Sequence, residues 1–332
     1  MSQRSPCAAL KFSRRAVDEF ELIQQYFARP NKQASVITGI GDDGAVIRPP
    51  MGKDLVTVVD TLIEGVHFPR NVDDVDAGYI AHRAIAVNLS DIAAMAAEPR
   101  WMTLALTLSE VNEHWLNWFA GSLHSLASEF DMELVGGDTT RGRDIVITVQ
   151  ITGIVDPGRM LCRSGAQVGD TIYVSGELGD AAAGLHLMQH PPEENLGPHS
   201  YLTDRFKYPT ARVALGSALA AKASAAIDIS DGLYGDLDKL LKASAVGADL
   251  YLDRVPISIA LKSCFDEKHQ RAFALSGGDD YELCFTSAED LPGEIDGLPV
   301  TAIGTVKSEP GIVCYDDGEV VPYVDTGYRH FQ

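Results

Sequence analysis

Basic residues are scarce in this chain. Lys and Arg total 27 of 332 residues against 47 for Asp and Glu, a formal net charge of −20. A chain so short of cations makes a poor binder of nucleic acid through a basic face. Cysteine is sparse as well: Cys7, Cys162, Cys264, Cys284 and Cys314 are odd in number, widely scattered and without a C-x-x-C pair. That argues against a disulfide framework and a zinc site, and fits a reducing cytoplasm. Long apolar runs are missing too. No segment approaches the roughly 20 residues of a membrane span, and Met1 to Arg15 lacks the apolar stretch of a signal peptide. A cytoplasmic protein that partners neither nucleic acid nor membrane is expected.

What is present is an alternation of strand-like and helix-like segments. Leu55 to Asp60 reads as a buried strand, Asp76 to Ala97 as an alanine-rich helix closed by Pro99, and Trp101 to Leu108 as a further strand. An amphipathic helix follows over Asn112 to Phe130, then β-type runs at Met132 to Val135 and Asp144 to Val155. The turn at Pro157-Gly158 and the polar stretch to Gly169 mark a domain seam. Beyond it, strands are expected at Thr171 to Ser175 and Ala225 to Ile229, and helices at Leu178 to Gln189, Thr210 to Ser224 and Gly232 to Ala245. His190 to Pro198 reads as a surface loop, and the tail from Asp280 as strands and turns. The fold class is α/β (α+β) in two domains.

The acids divide into 30 Asp and 17 Glu, a reversal of the usual preference for Glu on helical surfaces. Many of the aspartates fall where a strand or helix gives way to glycine or a small polar residue: Gly41-Asp42-Asp43-Gly44, Val59-Asp60-Thr61, Ser90-Asp91, Gly137-Asp138-Thr139, Asp228-Ile-Ser-Asp231-Gly232 and Gly278-Asp279-Asp280. Asp holds a ligand close to the backbone, and Gly lets that backbone approach it. Mg²⁺ takes one or two carboxylates, with water and phosphate oxygens completing an octahedron. Six such corners suit two or more Mg²⁺ ions on a polyphosphate. Asp and Gly are also the ordinary residues of turns, but Asp60 and Asp228 follow strongly apolar runs. A carboxylate there is costly to desolvate unless a cation or donor meets it. Familiar phosphate motifs are missing: no G-x-x-x-x-G-K-[ST], no H-R-D or D-F-G set, no G-x-S-x-G. Gly39-Ile-Gly-Asp-Asp-Gly44 matches G-x-G-x-x-G, yet the following Ala45 to Pro50 is strand-like, so a dinucleotide fold is rejected.

Taken in order, these segments resemble the thiamine-monophosphate kinase family, of the superfamily that includes aminoimidazole ribonucleotide synthetase. The resemblance runs from about Phe20 to Phe331. It rests on Gly39-Ile-Gly-Asp-Asp43, Asp60-Thr-Leu with Gly65-Val-His67-Phe68, and Ala86-Val-Asn-Leu-Ser-Asp91-Ile-Ala-Ala-Met95. Gly136-Gly-Asp-Thr-Thr-Arg-Gly142, Arg163-Ser-Gly165, Ile227-Asp-Ile-Ser-Asp-Gly232 and Leu275-Ser-Gly-Gly-Asp-Asp-Tyr-Glu-Leu283 continue it.

The resemblance implies ATP-dependent phosphorylation of thiamine monophosphate to thiamine diphosphate, with Mg²⁺ as cofactor and ATP as co-substrate. Asp43, Asp60, Asp91, Asp138, Asp228 and Asp231 match the family's magnesium-binding aspartates. Gly137, Arg163 and Ser230 match positions contacting ATP, and His67, Asp279 and Tyr328 match positions facing the thiamine phosphate. No general base is implied. The family is a homodimer that pairs N-terminal sheets, which here implies an extension (1–19), an ATP- and Mg²⁺-binding, dimerising domain (20–156) and a C-terminal α/β domain with a mixed sheet (157–332). Two departures stand out. Asp279 occupies a place where the family more often has Glu, and Val58-Val59 precede Asp60 where hydroxyl residues are frequent. Plainer readings exist for Arg163 as a loop cation, His67 as a satisfied loop histidine and Tyr328 as core packing. Rival functions are another ATP-dependent synthetase of the superfamily and a non-catalytic nucleotide- or cation-binding module.

Overall fold

The computed structural model describes residues 19–70, 73–194, 197–323 and 327. The first half comprises α1 (Glu19–Leu22), β1 (Val36–Thr38), β2 (Val46–Ile47), β3 (Asp54–Ile63), α2 (Ala77–Ala94), β4 (Glu98–Leu108), α3 (Glu113–Glu129), β5 (Glu133–Arg141) and β6 (Val146–Val155). Four of these strands form a sheet in the order β3-β6-β4-β5. Only β4 and β5 run parallel, because α3 carries the chain back across the sheet between them. Asn112 caps α3, its side chain accepting the His114 and Trp115 amides at 3.0 and 3.2 Å.

The second half comprises β7 (Thr171–Ser175), α4 (Asp180–Gln189), α5 (Gly197–Lys207), α6 (Val213–Leu219), β8 (Ala225–Asp228), α7 (Leu233–Ser244), β9 (Gly247–Tyr251), α8 (Ile259–Cys264), α9 (Glu267–Ser276) and β10 (Leu283–Ser287). It ends in β11 (Glu294–Ile295), β12 (Leu298–Lys307), β13 (Gly311–Asp316) and β14 (Glu319–Val321). Its sheet is mixed, ordered β14-β13-β9-β12-β7-β10-β8, with β11 on β12 and a parallel β9–β13 pair. Among the described residues, no helix is long and apolar enough to cross a membrane.

Helix α2 links the halves. It is buried along nearly its whole 18-residue length, as a helix with apolar residues on every side tends to be. One end joins Met102, Leu104, Ile147 and Ile151 in the first core, while Ala93 and Ala94 pack with Tyr173, Leu215 and Phe285 of the second. Small side chains permit this. A Cβ on Gly216 would lie 2.1 Å from the Ala93 carbonyl oxygen, so α6 sits on α2 at backbone distance. The helix closes at Ala96, whose φ of 55° turns the chain while the Ala97 amide bonds the Ile92 carbonyl at 3.0 Å.

Beyond the β1–β2 pair, which covers Trp101, Val135 and Ile154, the far face of the first sheet is open. Leu55, Thr57, Val59 and Thr61 alternate with inward Val56, Val58, Asp60 and Leu62, and are exposed. Threonine pairs lace that face, Thr61–Thr148 and Thr107–Thr140 at 2.9 Å and Thr57–Thr152 at 3.3 Å.

Several expectations are corrected. The helix expected over 210–224 is only Val213–Leu219, because the Arg212 side chain turns to Glu282 and Ser224 is held by Asp170 and Thr286. The loop expected at 190–198 gives way to α5 at Gly197, while β9, α8 and α9 went unanticipated. Asp60 and Asp138 lie inside β3 and β5, and Asp91 inside α2, not at the ends of elements.

Candidate active site

Three aspartates from three separate elements influence one another: Asp60 of β3, Asp91 of α2 and Asp228 at the end of β8. Asp228 is 5% exposed, and its Oδ2 accepts the Ser90 hydroxyl at 2.8 Å. Burial, then the charge of Asp228, pushes the Asp60 carboxyl up to about 6. Burial and neighbouring carboxylates likewise raise Asp91 and Asp228, and Arg163 is the cation that opposes this at both. No salt bridge among the described residues joins Arg163 to them. With burial raising all three carboxyls and Arg163 opposing it only at Asp91 and Asp228, the group is short of positive charge.

The Arg163 loop is set from behind. Its carbonyl accepts the Ser244 hydroxyl at 2.9 Å, and that oxygen accepts the Gly165 and Ala166 amides at 3.1 and 3.2 Å. Gly165 has φ of 135°, and a Cβ there would lie 2.2 Å from the Ser224 carbonyl oxygen.

Asp43, Gly137 and Asp138 line one cavity of about 440 Å³. Phe20, Ile23 and Leu134 give it apolar lining, while the Gly39–Gly44 loop and the Gly136–Thr139 segment of β5 supply backbone and carboxylates. Its size falls within the usual range for small-molecule sites. Gly137 is required by close approach: a Cβ there would lie 1.9 Å from the Leu104 carbonyl oxygen of β4. The Asp42 carboxylate accepts the Asp43 amide at 2.8 Å and so shapes the loop.

Ser230 and Asp231 form a corner after β8. Both of their amides donate to Asp236 Oδ2 at 2.9 Å, and Asp236 is 1% exposed. Lys239 Nζ bonds Asp231 Oδ2 at 2.6 Å and Asp236 Oδ1 at 2.8 Å. Against this corner lies the Gly277–Tyr281 turn. The Asp279 amide donates to the Ser230 carbonyl and the Tyr281 amide to that of Ile229, both at 2.9 Å. A Cβ on Gly278 would lie 2.4 Å from the Ser230 carbonyl oxygen, so the contact requires glycine. Asp279 Oδ1 accepts from Arg83 at 2.5 Å and from the Tyr281 hydroxyl at 3.0 Å.

His67 Nδ1 accepts the Ile63 amide at 3.0 Å within its own loop, and Tyr328 lies outside the described residues. The structure therefore gathers Asp60, Asp91 and Asp228 into one group, Asp43, Gly137 and Asp138 into a second, and Ser230, Asp231 and Asp279 into a third. Among the described residues, no set of three or more His, Cys, Asp or Glu side chains is arranged to hold a metal ion unaided. The donors these groups offer are carboxylate oxygens, of the kind Mg²⁺ takes together with phosphate and water oxygens. Sequence reasoning missed Arg83, Asp236 and Lys239. Arg83 left a signal, a lone cation within an apolar helix; Asp236 and Lys239, on an ordinary amphipathic helix, left none.

Residues 41–155 match the model for the AIR synthase related protein N-terminal domain, and 167–317 that for the C-terminal domain. The thiamine-monophosphate kinase of Salmonella typhimurium is 46% identical over 326 residues, covering 95% of this chain and 99% of that protein. The crystal structure of thiamine-monophosphate kinase from Stenotrophomonas maltophilia superposes with a TM-score of 0.82 at 42% identity, over 92% of this chain and 98% of that one. AaThiL complexed with AMPPCP and TMP gives a TM-score of 0.75 at 34% identity, over 88% and 92%. This chain belongs to the thiamine-monophosphate kinase family, within the AIR synthase related proteins.

Proposed function

We propose that this chain transfers the γ-phosphoryl group of ATP to thiamine monophosphate in a direct in-line step with Mg²⁺, yielding ADP and thiamine diphosphate. An oxygen of the acceptor phosphate attacks the γ-phosphorus as the bond to the β–γ bridging oxygen breaks. The acceptor is anionic at neutral pH, so no protein base is needed. Positioning and charge stabilisation carry such a reaction. The observation that carries the reading is the Asp60, Asp91 and Asp228 group, whose burial and mutual repulsion leave it short of cations. The AaThiL complex, with a nucleotide analogue and TMP together, supports the substrate pair.

In this reading Asp43, Asp60, Asp91, Asp138, Asp228 and Asp231 hold Mg²⁺, and Asp231 exchanges its bond to Lys239 for it. When bound, Mg²⁺ offsets the repulsion between the two polyanions. Gly137, Arg163 and Ser230 hold ATP: Gly137 presents backbone within the 440 Å³ cavity, and Arg163 offers a planar donor to phosphate. Asp279, His67 and Tyr328 face the thiamine phosphate. Two chains pair through the open threonine and valine face of β3 and the neighbouring part of β6; sedimentation at the 35.8 kDa of one chain would remove the homodimer. The same reading divides the chain into 1–19, 20–156 and 157–332, and limited proteolysis that first cut elsewhere than 157–169 would move the seam.

The deciding experiment measures ADP release with ATP and Mg²⁺, comparing thiamine monophosphate, free thiamine and formylglycinamidine ribonucleotide. Turnover with thiamine monophosphate is expected. Turnover with the ribonucleotide alone assigns a purine-type synthetase instead, and nucleotide binding without turnover on any acceptor assigns a binding module.

A further inference from the structure

We infer that Arg83 is a positioning residue for the acceptor side of the site: it holds Asp279, and with it the strained 278–281 turn, against the Ser230–Asp231 corner. The inference rests on the proposed reading for the identity of the acceptor, and on geometry for the rest.

Arg83 is 1% exposed, within a helix whose buried residues are mostly Ala, Ile and Leu. A cation there is costly unless its partners are fixed. It crosses from the first half of the molecule to the second. One arm of the guanidinium donates to the Phe206 carbonyl, the other donates to Asp279 Oδ1 at 2.5 Å, and the plane lies 4.0 Å from the centroid of the Phe206 ring. A carbonyl, a carboxylate and a ring face together determine the direction of that arm.

What it holds needs holding. Asp279 and Tyr281 have φ of 70° and 52°, left-handed values that side chains rarely adopt. Between them Asp280 is buried, accepting the Gly179 and Ala181 amides at 2.8 and 3.4 Å. Asp279 thus sits on a turn that relaxes if its anchors are lost. Both internal donors, Arg83 and the Tyr281 hydroxyl, fall on Oδ1. No described hydrogen bond uses Oδ2, and the side chain keeps 28% exposure. Arg83 therefore aligns the carboxylate and leaves one oxygen for an outside donor or cation, such as the amino group or charged ring of a thiamine phosphate. Seven residues on, and so on the same side of α2, Ser90 engages Asp228. One helix face thereby sets aspartates in two of the site's groups.

The test compares Arg83→Met, Arg83→Lys, Asp279→Asn and the Arg83→Met/Asp279→Asn double variant in steady-state kinetics with both substrates. Arg83→Met should raise KM for thiamine monophosphate about tenfold or more while KM for ATP moves less than about twofold. Arg83→Lys should recover most of that loss, and in the Asp279→Asn background Arg83→Met should add less than about twofold. Parallel loss for both substrates, or losses that multiply in the double variant, would reduce Arg83 to a fastener between the halves. A ligand-free measurement stands apart from the proposed reaction: amide exchange at Asp279 and Tyr281 should quicken in Arg83→Met, or in Arg83→Gln if the first variant does not fold, while β8 and β10 keep their protection. Unchanged exchange at those two amides overturns the inference. Absent turnover by the wild-type chain with thiamine monophosphate overturns the proposed function and leaves the exchange result to decide this one.

Discussion

Two groups of buried carboxylates meet opposite surroundings. Glu282, fully buried, accepts the Ser175 hydroxyl at 2.5 Å, Arg205 at 3.0 Å and a two-pronged contact from Arg212. Even its backbone neighbour conforms: Gly176 has φ of 58°, and a Cβ there would lie 2.4 Å from the carboxylate. Of Asp60, Asp91 and Asp228, only Asp228 has a hydroxyl donor, from Ser90, and only Asp91 and Asp228 lie in the field of an arginine, Arg163. The first group is complete within the chain and acts as structure. The second is not complete within the chain, and in the proposed reading a cation from outside completes it. The same residue chemistry therefore serves stability or binding according to whether the fold supplies the countercharge.

The comparison can be broken by exchanging one carboxyl for an amide in each group. Glu282→Gln leaves Arg212 without its counter-ion and Arg205 with only Asp180, 4.0 Å away, and should cost about 3–5 kcal/mol of folding free energy. Urea denaturation reads this directly, and an unchanged midpoint would show the network to be dispensable. Asp91→Asn should do the reverse. Turnover with thiamine monophosphate should fall by at least ~10²-fold while ligand-free stability holds or rises. Full activity at saturating Mg²⁺ would remove Asp91 from the site.

The smallest effect sharpens the contrast through pH. The Asp60 carboxyl lies at about 6 in the folded chain, above its ordinary 3.8. Between those values the folded chain holds the proton more tightly than the unfolded one. Its contribution to stability is thus full below about pH 4 and is lost as the pH rises through about 6. In chelating buffer, the stability of wild type relative to Asp60→Asn should decline over that window, and added Mg²⁺ should flatten the decline. A difference that does not change with pH would mean that Asp60 is satisfied by the chain alone.

Much of this was legible beforehand. The apolar run before Asp60, the alanine-rich stretch ending at Pro99 and the Ser-Asp pairs at 90–91 and 230–231 are local patterns, and local patterns survive folding. What could not be read was which aspartates meet. Asp60, Asp91 and Asp228 come from a strand, a helix and a second strand of the other half. Their approach depends on the burial of α2 against both sheets. Lys239 and Asp236 escaped notice because their spacing is that of any solvated helix. Their bonds to Asp231 exist only because Gly232, at φ of 115°, folds the corner back onto α7.

The sequence by itself determined the fold class, the family and the excess of short-armed carboxylates, because composition, periodicity and ordered motifs are properties of the chain alone. Only the tertiary structure decided how those carboxylates divide. It enclosed Glu282 with two arginines, brought Asp60, Asp91 and Asp228 within reach of one another, and placed Asp279 under Arg83 across the junction of the halves. The reason is physical. The cost of burying a charge depends on its neighbours in space, and neighbours 138 or 196 residues apart are chosen by packing.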